Sequence, residues 1–324
     1  MRAKLTTLIA LVALVAASAS SLHAQIYPSR SLRIVVPFAP GGSTDIFARL
    51  IGERLAAGLG QPVVIDNRPG AGGNIGAEIV AKSPPDGYTL LMATTGVMAI
   101  NNALYKNMSY DPATDLDCVV FVASITNVLI VAADSPIPNV AELIAVAKRS
   151  PGKLTFASAG AGASTHMSAE LFKIMAGVDL LHVPYKGSGP ALPDVITGRV
   201  SMMFENMPGA MPHIRAGTVR ALAVTGLRRT SALPEVPTLN ESGVPGYESL
   251  SWSGIAVPAG TPRDVIARLN REINAILAAP DMRQKFAEQG AEAVGGTPEA
   301  FAEHAKRERE KWSRVVRDAN IAVN

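Results

Sequence analysis

Short apolar runs alternate with amphipathic segments along most of the chain, and this alternation constrains the fold more than any other feature. The runs at 33–38, 62–67 and 88–93 are compact and end at turn residues, as buried parallel strands do. Segment 43–59, between the first two runs, carries apolar residues at helical spacing. The same alternation returns between residues 154 and 225. Repeated βα units of this kind predict an α/β fold in which helices cover parallel sheets.

One longer uncharged run, 118–133, needs to be distinguished from a membrane segment. It has 16 residues, which is short for a helix that must cross about 30 Å of hydrocarbon, and it is rich in β-branched residues. We therefore expect two buried strands here. The single cysteine of the chain, Cys118, lies in this run and is predicted to be a small core residue. One cysteine also excludes a disulfide framework and a multi-cysteine metal site.

The first 24 residues have the pattern of a cleaved secretory signal. Arg2 and Lys4 precede an uncharged, largely apolar stretch at 5–17, and the segment ends in the small residue Ala24. We predict export to the periplasm with cleavage after Ala24. An uncleaved anchor is the alternative, but the apolar stretch is short for a membrane span.

The charge balance argues against a nucleic acid partner. The full chain has 30 Lys and Arg residues against 27 Asp and Glu residues, a formal charge of +3. Removal of residues 1–24 takes away two cations and no acid, so 28 basic residues remain against 27 acidic ones. A nearly neutral chain lacks the positive field that attracts a phosphate backbone.

Two glycine-rich turns are the most informative local motifs. Residues 40–45 and 160–166 each follow a predicted strand and lead into a predicted helix, and a Ser-Thr pair recurs in them at an offset of 121 residues. Glycine lets backbone N–H groups approach a ligand, and a helix N-terminus favours an anion. Ser43 or Ser164 could cap its helix. The alternative is that such turns carry glycine and a capping serine in any parallel sheet.

No catalytic or metal-binding constellation emerges from the remaining motifs. Neither turn has the lysine or the glycine spacing of a phosphate-binding loop, so no nucleotide cofactor is expected. A hydrolase built on Ser164 and His166 is an alternative, but residues at i and i+2 of a helix do not face each other and no G-x-S-x-G elbow is present. His182 is predicted to be a core residue. The five histidines show no metal-ligand spacing.

Further polar residues follow predicted strands at their carboxyl ends, where α/β sheets bind ligands. They are Thr95, Lys186, Glu205 and Asn206. Lys186 could complement a carboxylate or be an exposed loop cation. Trp252 is either a core residue or a pocket wall.

Six longer motifs are spread over the chain. They are YPSR (27–30), PFAPGGSTD (37–45), NRPGAGGNIG (67–76), SPPDGYTL (83–90), VPYKG (183–187) and GIAVPAGTP (254–262). Together they resemble the Bug family, the periplasmic solute-binding subunits of tripartite tricarboxylate transporters. The resemblance covers residues 27–320.

The resemblance implies a two-lobed periplasmic binding protein of the Venus flytrap type (type II), with parallel-sheet lobes joined by a hinge that the chain crosses twice. Lobe 1 would comprise 27–125 plus 227–324, and lobe 2 would comprise 126–226. The ligand, a small carboxylate, would be gripped between them. The implied contacts are Phe38, Ala39, Gly41, Gly42, Ser43 and Thr44 from one lobe, and Gly162, Ala163, Ser164, Thr165 and His166, with Lys186, Glu205 and Asn206, from the other.

The expected function is that of a receptor and not of an enzyme. It would capture a small carboxylate and deliver it to the membrane permease subunits of a transporter, as a monomer, without metal or cofactor. Two alternatives stay open: an exported Ser/His hydrolase, and a receptor that presents its closed form to a sensor kinase. The near-neutral charge favours mono- or dicarboxylates over citrate-sized trianions.

Overall fold

The computed structural model describes residues 27–318 and residue 321, so the predicted signal segment lies outside the described residues. The first half of the chain forms β1 (Leu32–Val36), α1 (Ser43–Leu59), β2 (Val63–Asn67), α2 (Asn74–Ala81), β3 (Thr89–Thr94), α3 (Asn101–Leu104), β4 (Leu116–Ala132), α4 (Val140–Arg149) and β5 (Thr155–Ser158). The second half forms α5 (Ser164–Ala176), β6 (Leu181–Pro184), α6 (Ser188–Ile196), β7 (Met202–Asn206), α7 (Met207–Arg215), β8 (Val219–Val224), β9 (Leu250–Pro258), α8 (Arg263–Ala278), α9 (Pro280–Glu288), β10 (Ala291–Ala293) and α10 (Pro298–Asp318).

The strands form two groups that share β4, in the order β2-β1-β3-β9-β4-β7-β5-β6, with β8 and β10 also paired to β4. We call β1, β2, β3, β9 and β10 with the start of β4 the first lobe, and β5 to β8 with the end of β4 the second lobe. β1 runs parallel to β2 and β3, and β5 runs parallel to β6 and β7. The predicted α/β fold is confirmed. Each lobe is nevertheless a mixed sheet, because β4 and β9 pair antiparallel with their neighbours.

The prediction of two strands over 118–133 was wrong, because the structure has one strand, β4, of 17 residues. The run contains no glycine or proline that would force a turn. Its polar centre is accommodated by hydrogen bonds instead, since the buried side chain of Asn127 donates to the Ser168 hydroxyl at 2.8 Å. The register of β4 against β9 shifts twice, as in β-bulges, which let a long strand twist without ending. Cys118 is only partly buried.

Buried helix faces cover both sheets. Phe47, Ile51 and Leu55 of α1 are fully buried beside the first-lobe strands, as their helical spacing predicts. α10 buries Phe301 and Trp312; most of its charged residues face outward, whereas Glu308 and Arg309 are half-buried and bond to groups in the core. Among the described residues, no helix is long and apolar enough to span a membrane.

The chain passes between the lobes inside β4 and again after β8. β4 pairs with β9 up to Thr126 and with β7 from Asn127 onward. After β8, Leu239 and Tyr247 still pack in the core cluster of the second lobe, and pairing with the first lobe resumes at Leu250. The predicted limits of the lobes stay predictions.

Gly254 of β9 tests the packing between α10 and the first lobe. A Cβ atom at this position would overlap the Phe301 ring and lie 2.8 Å from the Val120 carbonyl oxygen. The Val120 backbone would have to shift to make room for the methyl group. Gly254→Ala is therefore expected to lower the free energy of unfolding by about 1–3 kcal/mol in urea titrations. Gly58→Ala, on the exposed end of α1, is the control and should be neutral or stabilising. Equal stability of the two variants would contradict the packing described here.

Candidate functional site

A small enclosed cavity lies between the lobes at the ends of β1, β3, β5 and β7. It is lined by Phe38, Gly42, Ser43, Thr44, Thr94, Ile125, Ala159, Ala163, Ser164, Thr165, Ser188, Asn206, Ser251, Trp252 and Ser253. About 30 Å³ of it is open to the centre of a water molecule, which is room for about two waters. None of these lining residues carries a formal charge.

Other depressions on the surface are larger, but they do not contain the predicted site. One of them has a volume of about 830 Å³ and lies beside the hinge, where it is lined by segments 226–231 and 290–294. No predicted contact residue lines it, and it is open to solvent on one side. We therefore assign the candidate site to the enclosed cavity between the lobes.

Eight of the predicted contact residues line this cavity and seven do not. Those that line it are Phe38, Gly42, Ser43, Thr44, Ala163, Ser164, Thr165 and Asn206. Those that do not are Ala39, Gly41, Thr95, Gly162, His166, Lys186 and Glu205.

Two long helices begin at the cavity. The N-cap residues of α1 and α5 are Gly42 and Ala163, neither of which has a capping side chain, so the expected serine caps are absent from both. Ser43 and Ser164 are instead the first helical residues. Their backbone N–H groups have no acceptor within the described residues. Two sets of unsatisfied donors, each at the positive end of a helix dipole, therefore meet at one cavity.

The turn before α1 is held by Asp45. Its carboxylate accepts the Gly41 N–H at 3.1 Å, an Asn67 side-chain amide at 3.1 Å, and the Arg49 guanidinium at 3.0 Å. Burial raises the pKa of Asp45, but these hydrogen bonds together bring it below its ordinary value. Asn67 also donates to the Phe38 carbonyl oxygen at 3.0 Å. The turn is therefore fixed before any ligand arrives.

The turn before α5 is held by Thr165 and His166, two residues that were predicted to contact the ligand. The Thr165 hydroxyl accepts the Ala159 N–H at 2.9 Å, and His166 Nδ1 accepts the Gly162 N–H at 3.2 Å. Ser164 is different, because its hydroxyl makes no hydrogen bond within the described part of the chain and faces the cavity.

His166 and His182 stack on each other and are not arranged around Ser164. The His166 ring stacks on His182 with centroids 4.0 Å apart, and its Nδ1 is already an acceptor for the turn. Burial lowers the pKa of His182 to about 3, so this ring is neutral, and its Nε2 lies 2.6 Å from the Ser158 hydroxyl. His182 is a partly buried structural residue, as expected from the sequence. The Ser164–His166 pair that a hydrolase would need is not assembled.

Hydrogen bonds join the two lobes around the cavity. Asn206 Nδ2 donates to the Ser43 hydroxyl at 2.7 Å, and the Ala39 N–H donates to the Lys186 carbonyl oxygen at 3.0 Å. The Ser251 hydroxyl lies 2.9 Å from Asn127 Oδ1 and 3.0 Å from Asn206 Oδ1. A continuous polar chain thus runs from the hinge strand β4 to the N-terminus of α1. The structure shows a closed cleft.

Two predicted contact residues, Lys186 and Thr95, act at a distance from the cavity, whereas Trp252 lines it. The Lys186 side chain is exposed, and only its carbonyl group reaches the other lobe. The Thr95 hydroxyl accepts the Trp252 N–H at 2.9 Å and so joins β3 to β9. Trp252 belongs to the core on its indole side, because the ring packs near Phe121 and its Nε1–H donates to Glu308 at 3.2 Å.

Glu205 is buried beneath the cavity and not in its wall. Its side chain is fully shielded from solvent; one carboxyl oxygen accepts from the Ser188 hydroxyl at 2.7 Å, and the other has no partner in the described structure. Burial raises the pKa of Glu205 to about 8, and the hydrogen bond from Ser188 offsets only part of this rise. The carboxyl group therefore keeps its proton at neutral pH.

Sequence reasoning missed several lining residues, among them Thr94, Ser188 and Ser253. Ser188 follows Gly187 at the start of α6, and this third Gly-Ser turn was the signal available for it. Thr94 directly precedes Thr95, the predicted contact residue. In the structure Thr94 is the last residue of β3 and lines the cavity, whereas the Thr95 hydroxyl accepts the Trp252 N–H.

Backbone groups of the two lobes approach each other where glycine is present. A Cβ atom at Gly189 of α6 would overlap the Pro40 carbonyl oxygen, and one at Gly72 would overlap the Ala161 carbonyl oxygen. Both contacts join one lobe to the other. A side chain at either glycine would therefore oppose the closed arrangement, whereas it would meet no such obstacle with the lobes apart.

Comparisons with known proteins agree with this geometry. Residues 47–321 match the family model described as "Tripartite tricarboxylate transporter family receptor". The chain is 38% identical to Protein BugT of Bordetella pertussis over 98% of this chain and 99% of BugT. Among solved structures, an R. palustris protein with adipate is 44% identical, with a TM-score of 0.89, over 91% of this chain and 99% of that one. MatC from Rhodopseudomonas palustris with bound malate is 33% identical, with a TM-score of 0.86, over 90% and 100%.

Gly189→Ala tests whether the closed cleft is the binding form. The added methyl group meets Pro40 only when the lobes are closed, so the variant is expected to fold as stably as the wild type and to bind its ligand at least tenfold more weakly. Calorimetric titration with the acid that most raises the wild-type thermal midpoint, together with thermal unfolding, measures the two properties, with Gly58→Ala as the control. Wild-type affinity in the Gly189 variant would show that binding does not need this closure.

Glu205→Gln tests the protonation state of the buried carboxyl. Because the folded-state pKa lies above that of the unfolded chain, the folded protein holds an extra proton between about pH 4.5 and pH 8. The wild-type free energy of unfolding should therefore fall as pH rises through this window, by up to about 1.4 kcal/mol per pH unit.

The glutamine variant should lose this part of the pH dependence, while Glu235→Gln, an exposed control, should keep it. Urea unfolding at pH 5, 7 and 9 measures the slopes. Parallel slopes for the wild type and Glu205→Gln would contradict the assignment.

Proposed function

Because the chain belongs to the tripartite tricarboxylate transporter receptor family, together with the Bug proteins, we propose that it is a periplasmic solute-binding receptor for a small carboxylate. The carboxylate binds between the lobes at this cavity, which now has room for about two waters and widens to admit a larger acid. The observation that carries this proposal is the meeting of two uncapped helix N-termini at a cavity without formal charge.

A carboxylate suits this cavity because each of its oxygens can accept backbone N–H groups. One oxygen faces the first turn of α1 and the other the first turn of α5, and both positive helix ends are neutralised by one anion. The two structural neighbours with adipate and with malate support a carboxylate ligand. The absence of lysine and arginine from the described lining favours mono- and dicarboxylates over trianions.

Among the predicted contact residues, we assign direct contacts to those that line the cavity. From the first lobe these are Phe38, Gly42, Ser43 and Thr44; from the second they are Ala163, Ser164, Thr165 and Asn206. Ala39, Gly41, Gly162 and His166 hold the turns, while Thr95, Lys186 and Glu205 support the cavity from behind or join the lobes. Binding takes place without turnover, since no base lies against Ser164 among the residues that the structure describes.

The closed form of the receptor is the form that its partners recognise. Export with cleavage after Ala24 places the receptor in the periplasm as a monomer, where the closed lobes present one continuous surface to the membrane permease subunits of the transporter. A sensor kinase could read the same closed surface, and this stays the alternative partner.

The hinge consists of the two segments in which the chain changes lobes. We place the outward crossing at Thr126–Asn127, where the pairing of β4 changes from β9 to β7. We place the return crossing at Ser249–Leu250, because segment 228–248 contributes core residues to the second lobe. The Ser249 N–H donates to the Thr225 carbonyl oxygen at 3.0 Å. The two ends of the segment between β8 and β9 therefore meet at the hinge.

Ser164→Leu tests the proposed function. A bulky apolar side chain at the first turn of α5 displaces the anion, so affinity for the best ligand is expected to fall at least tenfold, about 1.4 kcal/mol. The ligand is first found by thermal shift with C4–C7 mono- and dicarboxylates and citrate, since a ligand of the folded state raises the midpoint. Calorimetry then compares the wild type with the variant.

Ser150→Leu, on an exposed turn, is the matched control and should bind as the wild type does. Stabilisation by citrate alone would contradict the preference for smaller acids. Unchanged affinity in Ser164→Leu would remove the α5 turn from the site.

A further inference from the structure

Two hydroxyl groups in the cavity wall lack hydrogen-bond partners. Thr94 Oγ1 and Ser253 Oγ are buried side-chain oxygens without a donor or acceptor in the described structure. Their residues are 9% and 1% exposed. A buried hydroxyl without a partner is costly, because it has lost its hydrogen bonds to water. An orphaned pair in one cavity wall therefore needs an explanation.

The two hydroxyls belong to one surface. Thr94 and Ser253 are directly opposite each other in the antiparallel pairing of β3 with β9, and both residues line the cavity. Opposed residues of such a pair place their Cβ atoms about 4.5–5.5 Å apart on the same face of a sheet. One group with one or two oxygen atoms can therefore reach both hydroxyls.

This pair is separate from the turns that hold the first carboxylate. The turns offer backbone N–H groups at the starts of α1 and α5. Thr94 and Ser253 instead offer side-chain hydroxyls from β3 and β9, two inner strands of the first-lobe sheet. Ser251, two residues before Ser253 on the same face, already uses its hydroxyl on Asn127 and Asn206. Among the described cavity-lining hydroxyls of β3 and β9, only those of Thr94 and Ser253 have no hydrogen-bond partner and are free to bind a ligand.

We propose that Thr94 and Ser253 form a second subsite that binds an oxygen-bearing group at the far end of the ligand. The inference rests on the proposed carboxylate function and deepens it: the ligand is an acid with a second oxygen function, a hydroxyl or another carboxyl group. Each hydroxyl can donate to and accept from such a group. A purely hydrocarbon tail would leave both hydroxyls buried and unsatisfied.

The test uses pairs of acids that differ only in the distal oxygen. Each C4–C7 dicarboxylate is compared with its monocarboxylate, for example adipate with hexanoate, and 6-hydroxyhexanoate is added as the neutral oxygen analogue. Wild-type protein is expected to bind the oxygenated member at least tenfold more tightly. Preference for the hydroxy acid identifies a neutral distal group, and preference for the dicarboxylate identifies a charged one; both support the subsite.

The matched variant is the double substitution Thr94→Val and Ser253→Ala, which removes both hydroxyls and keeps the side-chain volume nearly constant. It is expected to lose at least tenfold in affinity for the oxygenated acid and to bind the monocarboxylate within about twofold of the wild type. Its thermal midpoint without ligand should equal or exceed that of the wild type, because two unsatisfied groups are gone. Thr89→Val, at the start of β3, is the control.

The outcomes separate this inference from the proposed function. Equal wild-type affinity for the two members of a pair, or equal losses for both members in the double variant, would overturn the subsite and leave carboxylate binding intact. Failure of every acid to bind would overturn the proposed function, and the subsite with it.

Discussion

Main-chain contact between the lobes is the constraint on which the rest of the structure depends. The βα turns of the two lobes close on each other only because glycine stands at Gly72 and Gly189, where backbone meets backbone. This closure brings the N-termini of α1 and α5 to one cavity. Two positive helix ends repel each other, so an anion between them favours the closed form over the open one. Ligand charge and lobe closure are coupled through the backbone.

The acidic groups near the cavity are prevented from competing with an anionic ligand. Asp45 forms an ion pair with Arg49, and its carboxylate accepts the Gly41 N–H, which holds the turn before α1 in place. Glu205 has no cation beside it, and burial keeps it protonated at neutral pH. A protonated Glu205 can support Ser188 without adding negative charge below the cavity. Two different mechanisms thus keep the site attractive to a carboxylate.

The sequence predicted the parts of the protein that depend on local pattern. Alternating runs predicted the βα units and the α/β class, and the Ser-Thr echo predicted two similar turns at the site. The features it did not reveal depend on tertiary context. Nothing local shows that β4 is continuous, since Asn127 resembles a strand breaker until its buried partner is known. Likewise, the ring of His166 lies away from the cavity because it stacks on His182, a residue 16 positions later in the chain.

The cavity has two kinds of donor with different roles: the backbone N–H groups supply affinity for a carboxylate, and the strand hydroxyls supply selectivity between ligands. In the proposed function, backbone N–H groups at the turns bind any carboxylate, and their position depends on the glycines and on Asp45, not on the side chains that face the ligand. The hydroxyls of Thr94 and Ser253 lie on sheet positions that neither cap a helix nor join the lobes. A substitution there changes what the far end of the ligand must carry without disturbing closure. The same closing mechanism can therefore serve different acids, with the strand residues selecting among them.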